Sequence, residues 1–231
     1  PAVDRISLRI APGETIAIVG HTGSGKTSIA QMVPRLIDPT GGTVRVDGID
    51  VRDLDPSALR SLIGFVPQES FLFSSSIADN IALGAPQATR EDVQRAADLA
   101  GLTPDLEGFP KGLDTVVGER GITLSGGQKQ RTAIARAICR DPRILILDDA
   151  LSSVDTVTEE RILSGLAGVR SGRTTILISH RVSTVRQANR IFVMDHGRII
   201  EQGTHEELLA HNGAYAELYQ KQLIEEELEA I

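Results

Sequence analysis

The spacing of apolar and polar positions changes period several times along the 231 residues. ETIAIVG, Glu14–Gly20, is a compact β-branched run closed by glycine, the pattern of a buried strand. TSIAQMVPRL follows with a helical rhythm that Pro34 breaks or kinks. GTVRVDGIDV, Gly42–Val51, alternates about Asp47-Gly48 and predicts a hairpin. LIGFVPQ, Leu62–Gln68, is a short strand running into a loop. From about 76 to 140 helical periods dominate, punctuated at Gly84-Ala85-Pro86 and Gly108–Gly112, as in an inserted helical lobe. Strand signals return in RILILDD, TTILISH and RIFVMDHGRIIEQG, the last with a turn at His196-Gly197. The end, THEELLAHNGAYAELYQKQLIEEELEAI, is helical in period, and its acidic tip reads as a solvated face. Strands alternating with helices predict an α/β fold with a mostly parallel sheet.

Composition narrows the classes. A hydrophobic share of 41% is enough for one sizeable core. The net charge of -7 and a pI near 5.3 give nucleic acid no electrostatic reason to bind. The single cysteine, Cys139, excludes an internal disulfide framework and, beside Ile134 and Ile138, reads as a core thiol. No apolar run approaches the roughly 18 residues of a membrane span, and no signal peptide opens the chain, so it is expected to be soluble by itself. PAVDRISLRI soon reads as strand, and this abrupt start raises the expectation of an excised piece.

GHTGSGKT, Gly20–Thr27, fits G-x-x-x-x-G-K-[ST] between a strand and a helix. Glycines let such a loop wrap so that successive N–H groups face phosphate oxygens, and the following helix adds its positive end. Lys26 would reach the β- and γ-phosphates and the Thr27 hydroxyl would bind Mg²⁺. In ILILDDALSSVD, Ile144–Asp155, an apolar strand ends in two carboxylates. Lying beside the phosphate-loop strand, Ile144–Leu147 would carry Asp148 to the metal; a helix cap or turn is the plainer use of such a pair. LSGGQKQRTAIARAI, Leu124–Ile138, sets Ser125, Gly126 and Gly127 before an Ala-rich amphipathic helix, a second anion site made of a serine cap and a helix dipole. Either each device serves its own nucleotide, or two chains share nucleotides face to face.

Together these motifs resemble the ATP-binding cassette family over essentially the whole chain. The matches are Gly20–Thr27, Gln68 after a strand, Leu124–Gln128, Ile144–Asp149, the SSVD loop Ser152–Asp155, and His180. The resemblance implies a RecA-like P-loop NTPase core, residues 1–75 and 141–231, with an antiparallel β subdomain and a helical subdomain at about 76–140. It implies a head-to-tail dimer holding two ATP molecules. Gly20, Thr22, Gly23, Ser24, Gly25, Lys26, Thr27 and Ser28 of one subunit would face Ser125, Gly126, Gly127 and Gln128 of the other. Thr27, Gln68 and Asp148 would contact Mg²⁺, while Asp149, His180 and Gln68 would be catalytic. Ser153 and Asp155 would lie at the interface. The plainer alternatives are a solvent contact for Gln68, a strand-end cap for His180 and a helix N-cap for Asp155.

PQESFLFSSSIADNIALG, Pro67–Gly84, looks like the loop by which exporter-type cassettes contact the coupling helices of their membrane domain; an apolar plug in the helical lobe is the alternative. VVGERG, Val116–Gly121, is similar to the exporters' cross-subunit loop, with Val116 where some of them carry an acid. The family's adenine-stacking aromatic is missing, because no Phe, Tyr or Trp precedes Phe65. That absence fits a nucleotide-binding domain cut near its start. Most relatives carry Glu after the metal-binding Asp, where this chain has Asp149. The expected protein is therefore one subunit of a heterodimeric, multidrug-type exporter, acting at the cytoplasmic side of a membrane, whose own site is slow or degenerate. Alternatives are a homodimer in which Asp149 works, and an ATP-gated clamp that does not hydrolyse.

Overall fold

The computed structural model describes residues 2–118, 122–169 and 172–229. Six strands form the main sheet: β1 (Thr15–Gly20), β4 (Ile63–Val66), β5 (Ile144–Asp148), β6 (Thr174–Ile178), β7 (Arg190–Asp195) and β8 (Arg198–Gly203). Their order is β4-β5-β6-β1-β7-β8. All neighbours are parallel except β7 and β8, which His196 and Gly197, both at positive φ, join as a hairpin. The apolar runs are continuous because both sheet faces are covered. Ile16 and Ile18 of β1 pack on one side with Ile146, Ile176 and Phe192, whereas Ala17 and Val19 pack on the other with Leu145, Leu147 and Val193. A strand's two-residue period produces that division.

β2 (Arg45–Val46) and β3 (Ile49–Asp50) form the small antiparallel sheet around Asp47-Gly48, as the alternation predicts. Helix α1 (Lys26–Met32) stops short of Pro34, and α2 (Pro56–Ser61) starts on an Asp55 cap. The predicted helical stretch contains α3 (Ile77–Ala82), α4 (Arg90–Leu99), α5 (Thr103–Gly108) and α6 (Gly126–Cys139). α3 and α4 both pack on α6, which also touches β4. The chain continues through α7 (Thr156–Val169), α8 (Val182–Val185), α9 (His205–His211) and α10 (Ala214–Glu229).

Two expectations need correction. β5 does not lie beside β1: β6 stands between them. α1 bridges the gap, since it leaves β1, crosses β6 and reaches β5. The opening segment forms no strand within residues 2–10. Ile6, Leu8 and Ile10 alternate inward against the second core face, so the apolar period is real. The segment lacks a ladder; its ties are single bonds such as Asp4 N–H to Gly197 O and Arg190 to Arg9 O.

Candidate functional site

Because β1, β5 and β6 run parallel, the loops leaving their C-terminal ends open at one edge of the sheet. The β1 loop is the glycine-rich one. Gly20 has φ 144°, and a Cβ there would fall 2.1 Å from Met194 O, so no larger residue fits. Gly25, at φ 101°, is the N-cap of α1 and offers no side chain to its first turn. Lys26 Nζ lies back over the loop, donating to Gly20 O at 2.7 Å and His21 O at 2.9 Å. Burial holds this ammonium below its usual pKa, against the raising pull of Asp149 and Asp148.

Thr27 Oγ1 donates to Asp148 Oδ1 at 3.1 Å, so residues far apart in sequence meet at one point. Asp148 is 2% exposed. Burial holds its carboxyl above the usual range, and the charge of Asp149 adds to that. A buried carboxylate beside a hydroxyl, without a cationic partner in direct contact, suits a hard cation. The oxygen donors fit Mg²⁺, which keeps water and phosphate among its ligands and needs no all-protein cage. The described residues contain no cluster of three or more His, Cys, Asp or Glu side chains placed to hold a metal.

Asp149 follows at φ 51°, its N–H bonded to Ile178 O at 2.8 Å. That left-handed turn swings its carboxylate out of the strand to His180, whose Nδ1 lies 2.9 Å from Oδ1. The hydrogen bond to Asp149 raises the His180 pKa, with burial opposing it. Gln68 Nε2 lies 3.5 Å from Asp149 Oδ2. Gln68 is thus on the Asp149–His180 side of the site, while Thr27 and Asp148 form the other side.

The second anion device sits elsewhere. Ser125 caps α6, accepting from Gln128 N–H at 3.2 Å, and Gln128 Oε1 accepts from Ser125 N–H at 2.9 Å, a closed capping box. Gln128 Nε2 donates to Asp105, and Arg131 pairs with the same carboxylate at 2.6 Å. None of these partners belongs to the Gly20–Ser28 loop. Ser125 and Gly126 face solvent. A Cβ on Gly127 would lie 2.8 Å from Ser153 O, so the glycine lets the Ser152–Asp155 loop approach the helix. Asp155 also fills the plainer role foreseen for it: Oδ1 accepts from Thr158 N–H at 2.9 Å at the start of α7. That backbone bond lowers its pKa. Ser153 and Asp155 are both exposed.

Phe71 is 68% and Phe73 49% exposed, stacked edge to face, which rules out an apolar plug as their role. Only Leu72 of the trio packs on the core. Val116 bridges Ser76, and Glu119–Gly121 of the expected cross-subunit loop lie outside the described residues. The sequence reading missed Gln130, Glu159, Arg181 and Gln222, whose side chains tie the site's loops together. Gln130 and Glu159 carried a signal: each occupies a core position of its helix, in stripes with Ile134 and Ile162.

A family model described as ABC transporter matches residues 3–152. The ATP-dependent lipid A-core flippase of Burkholderia orbicola is 49% identical over 96% of this chain and 37% of its own length. ATP-binding cassette sub-family B member 10 of Mus musculus, a mitochondrial protein, is 50% identical over 94% of this chain and 31% of its own. A solved bacterial Atm1-family ABC exporter with ATP bound superposes with TM-score 0.92 at 45% identity, over 96% of this chain and 39% of that one. The chain spans about a third of the length of the curated relatives it matches, 28% to 38% in those compared. It belongs to the ABC transporter family.

Proposed function

We propose that this member of the ABC transporter family is the nucleotide-binding domain of an exporter, binding Mg·ATP in the Gly20–Ser28 loop and hydrolysing it to drive transport. The observation that carries the reading is the approach of Thr27 to Asp148 at 3.1 Å above a glycine-rich loop holding Lys26. Residues about 76–140 would be its helical subdomain. Thr27 and Asp148 would hold Mg²⁺, with Gln68 reaching it from the Asp149 side, and the ion would supply charge neutralisation for the phosphates. Lys26 would exchange its contacts with loop carbonyls for phosphate oxygens. Asp149 would accept hydrogen bonds from the attacking water, and His180, oriented by Asp149, would hold the γ-phosphate.

Head-to-tail pairing with a second nucleotide-binding domain would bring Ser125–Gln128, with Ser153 and Asp155, to the partner's ATP. The exposed Phe71 and Phe73 support docking of a transmembrane domain's coupling helix at Phe71–Asn80. Beside them is a cavity of about 230 Å³ lined in part by Phe65, Phe71, Arg136 and Arg140. A site at the cytoplasmic face of a membrane follows from that docking. No helix among the described residues is long and apolar enough to cross a bilayer.

Asp149 is one methylene shorter than the Glu that the family resemblance leads one to expect at this position. A displacement of about 1 Å from the productive position can cost on the order of 10²-fold in rate. The slow-site reading takes this chain as the unequal half of a heterodimeric, multidrug-type exporter. A second reading, a homodimer with a working Asp149, is favoured by the 2.9 Å contact between Asp149 and His180. Phosphate release under saturating Mg·ATP separates them. Asp149→Glu raises turnover by on the order of 10²-fold under the first reading and leaves it unchanged or lower under the second. Failure of the unsubstituted chain to bind Mg·ATP would contradict both.

A further inference from the structure

Asp149 and His180 leave different strands, and their contact holds only if two loops keep a fixed spacing. The residue after His180 spans that gap. Arg181 Nη1 donates to Val154 O at 2.9 Å and Nη2 to Ser152 O at 2.9 Å, so one planar fork grips two carbonyls of the loop that Asp149 begins. The fork has a dedicated counter-charge. Glu159, 1% exposed on α7, accepts from Arg181 Nη1 at 3.2 Å through Oε2 and takes the Thr184 hydroxyl on Oε1. A carboxylate this buried is costly without such partners, which argues for a fixed position of the guanidinium.

The other ends are anchored too. Arg181 N–H donates to Ser179 Oγ at 2.9 Å. Gln222 of α10 grips the backbone on both sides of Arg181: its Oε1 accepts from Val182 N–H at 2.6 Å and its Nε2 donates to His180 O. Across the loop, Gln130 of α6 accepts from Ser153 N–H at 2.9 Å and donates to Ser152 Oγ at 2.9 Å. Ser152–Val154 is therefore held between α6 and the His180 loop.

We propose that Arg181 is a positioning residue for ATP hydrolysis: its fork locks the Asp149–Asp155 loop to the His180 loop and so sets the Asp149–His180 geometry. Arg181 spends its guanidinium on Val154 O, Ser152 O and Glu159, and would act through Asp149 and His180, the pair proposed above to meet the attacking water and the γ-phosphate. The proposal rests on the ATP-hydrolysing reading above.

Hydrogen exchange read by mass spectrometry, run beside ATP turnover on the same chain, tests it. Arg181→Lys keeps the charge and loses the fork. Exchange at the bonded amides of Ser152, Ser153, Val154 and Val182 then rises about tenfold or more while β1 stays unchanged. kcat falls on the order of 10²-fold with KM nearly constant, because a misplaced pair impairs the chemical step and not binding. Unchanged exchange in those loops, or a loss carried by KM, overturns the proposal. Glu159→Gln removes the counter-charge at constant shape and serves if the lysine variant does not fold. It gives the same pattern at smaller amplitude, and normal exchange with normal kcat in it also overturns the proposal. An unsubstituted chain without ATP turnover contradicts the functional reading, while the exchange comparison still decides whether Arg181 locks the loops.

Discussion

Two helices of this chain begin at glycine-rich segments, and they begin in opposite ways. α1 starts on Gly25, which has no side chain to offer, and its lysine lies over the carbonyls of the preceding loop. α6 starts on Ser125 in a closed capping box, with Gln128 further committed to Asp105. The first end opens toward charges of its own chain: the Thr27 hydroxyl donates to the buried Asp148 at 3.1 Å beside it. The second satisfies its own polar side chains and presents Ser125 and Gly126 outward. Under the proposed function the uncapped end would take phosphate within the chain, and the capped, exposed one would meet a nucleotide held by another molecule. That difference gives physical content to the idea that each cassette binds with one device and completes a neighbour's site with the other.

Breaking the glycines should separate the two devices most strongly. Gly20→Ala puts a Cβ 2.1 Å from Met194 O at an unfavourable φ; it is expected to cost on the order of 3 kcal/mol in denaturant melts and to abolish Mg·ATP binding. Gly127→Ala meets Ser153 O at 2.8 Å, at the far device, and should leave Mg·ATP affinity intact. Next in size is Ser125→Ala, which removes the cap at a cost of about 1 kcal/mol and again leaves affinity unchanged. Loss of affinity in either far-device variant would show that the two ends are not separate.

The smallest effect concerns pH. His180 has its pKa raised by Asp149, so the pair's contribution to stability is full below the ordinary imidazole pKa and fades as pH rises through the raised value. Asp149→Asn should therefore destabilise the chain more at acidic than at alkaline pH. In an NMR titration it should also lower the His180 pKa. Because His180 is about half exposed, the stability difference is expected to stay small.

Much of this site was legible from local pattern. The strand–loop–helix at Gly20–Thr27 and the serine cap of α6 are written in adjacent residues, so sequence alone located both. What failed needed neighbours distant in the chain. Nothing local says that β6 lies between β5 and β1, because parallel strand order is set by how helices cross the sheet. The opening segment has the period of a strand, and period cannot report whether a partner strand is present. Arg181 was hidden in the same way, since its value lies in carbonyls of a loop about thirty positions earlier. Glu159 and Gln130 were more readable: a polar residue in the apolar stripe of a helix must have found a partner.

The central claim is that the open end binds and the capped end serves another molecule. Titration calorimetry of Mg·ATP on two variants tests it most directly. Lys26→Ala removes the cation of the open end; Ser125→Asp keeps a good helix cap and adds a negative charge that would repel phosphate at the other. At concentrations where the chain is monomeric the account predicts one site per chain, lost in Lys26→Ala and retained at near-normal affinity in Ser125→Asp. Retained binding in Lys26→Ala, or equal loss in both, would contradict it.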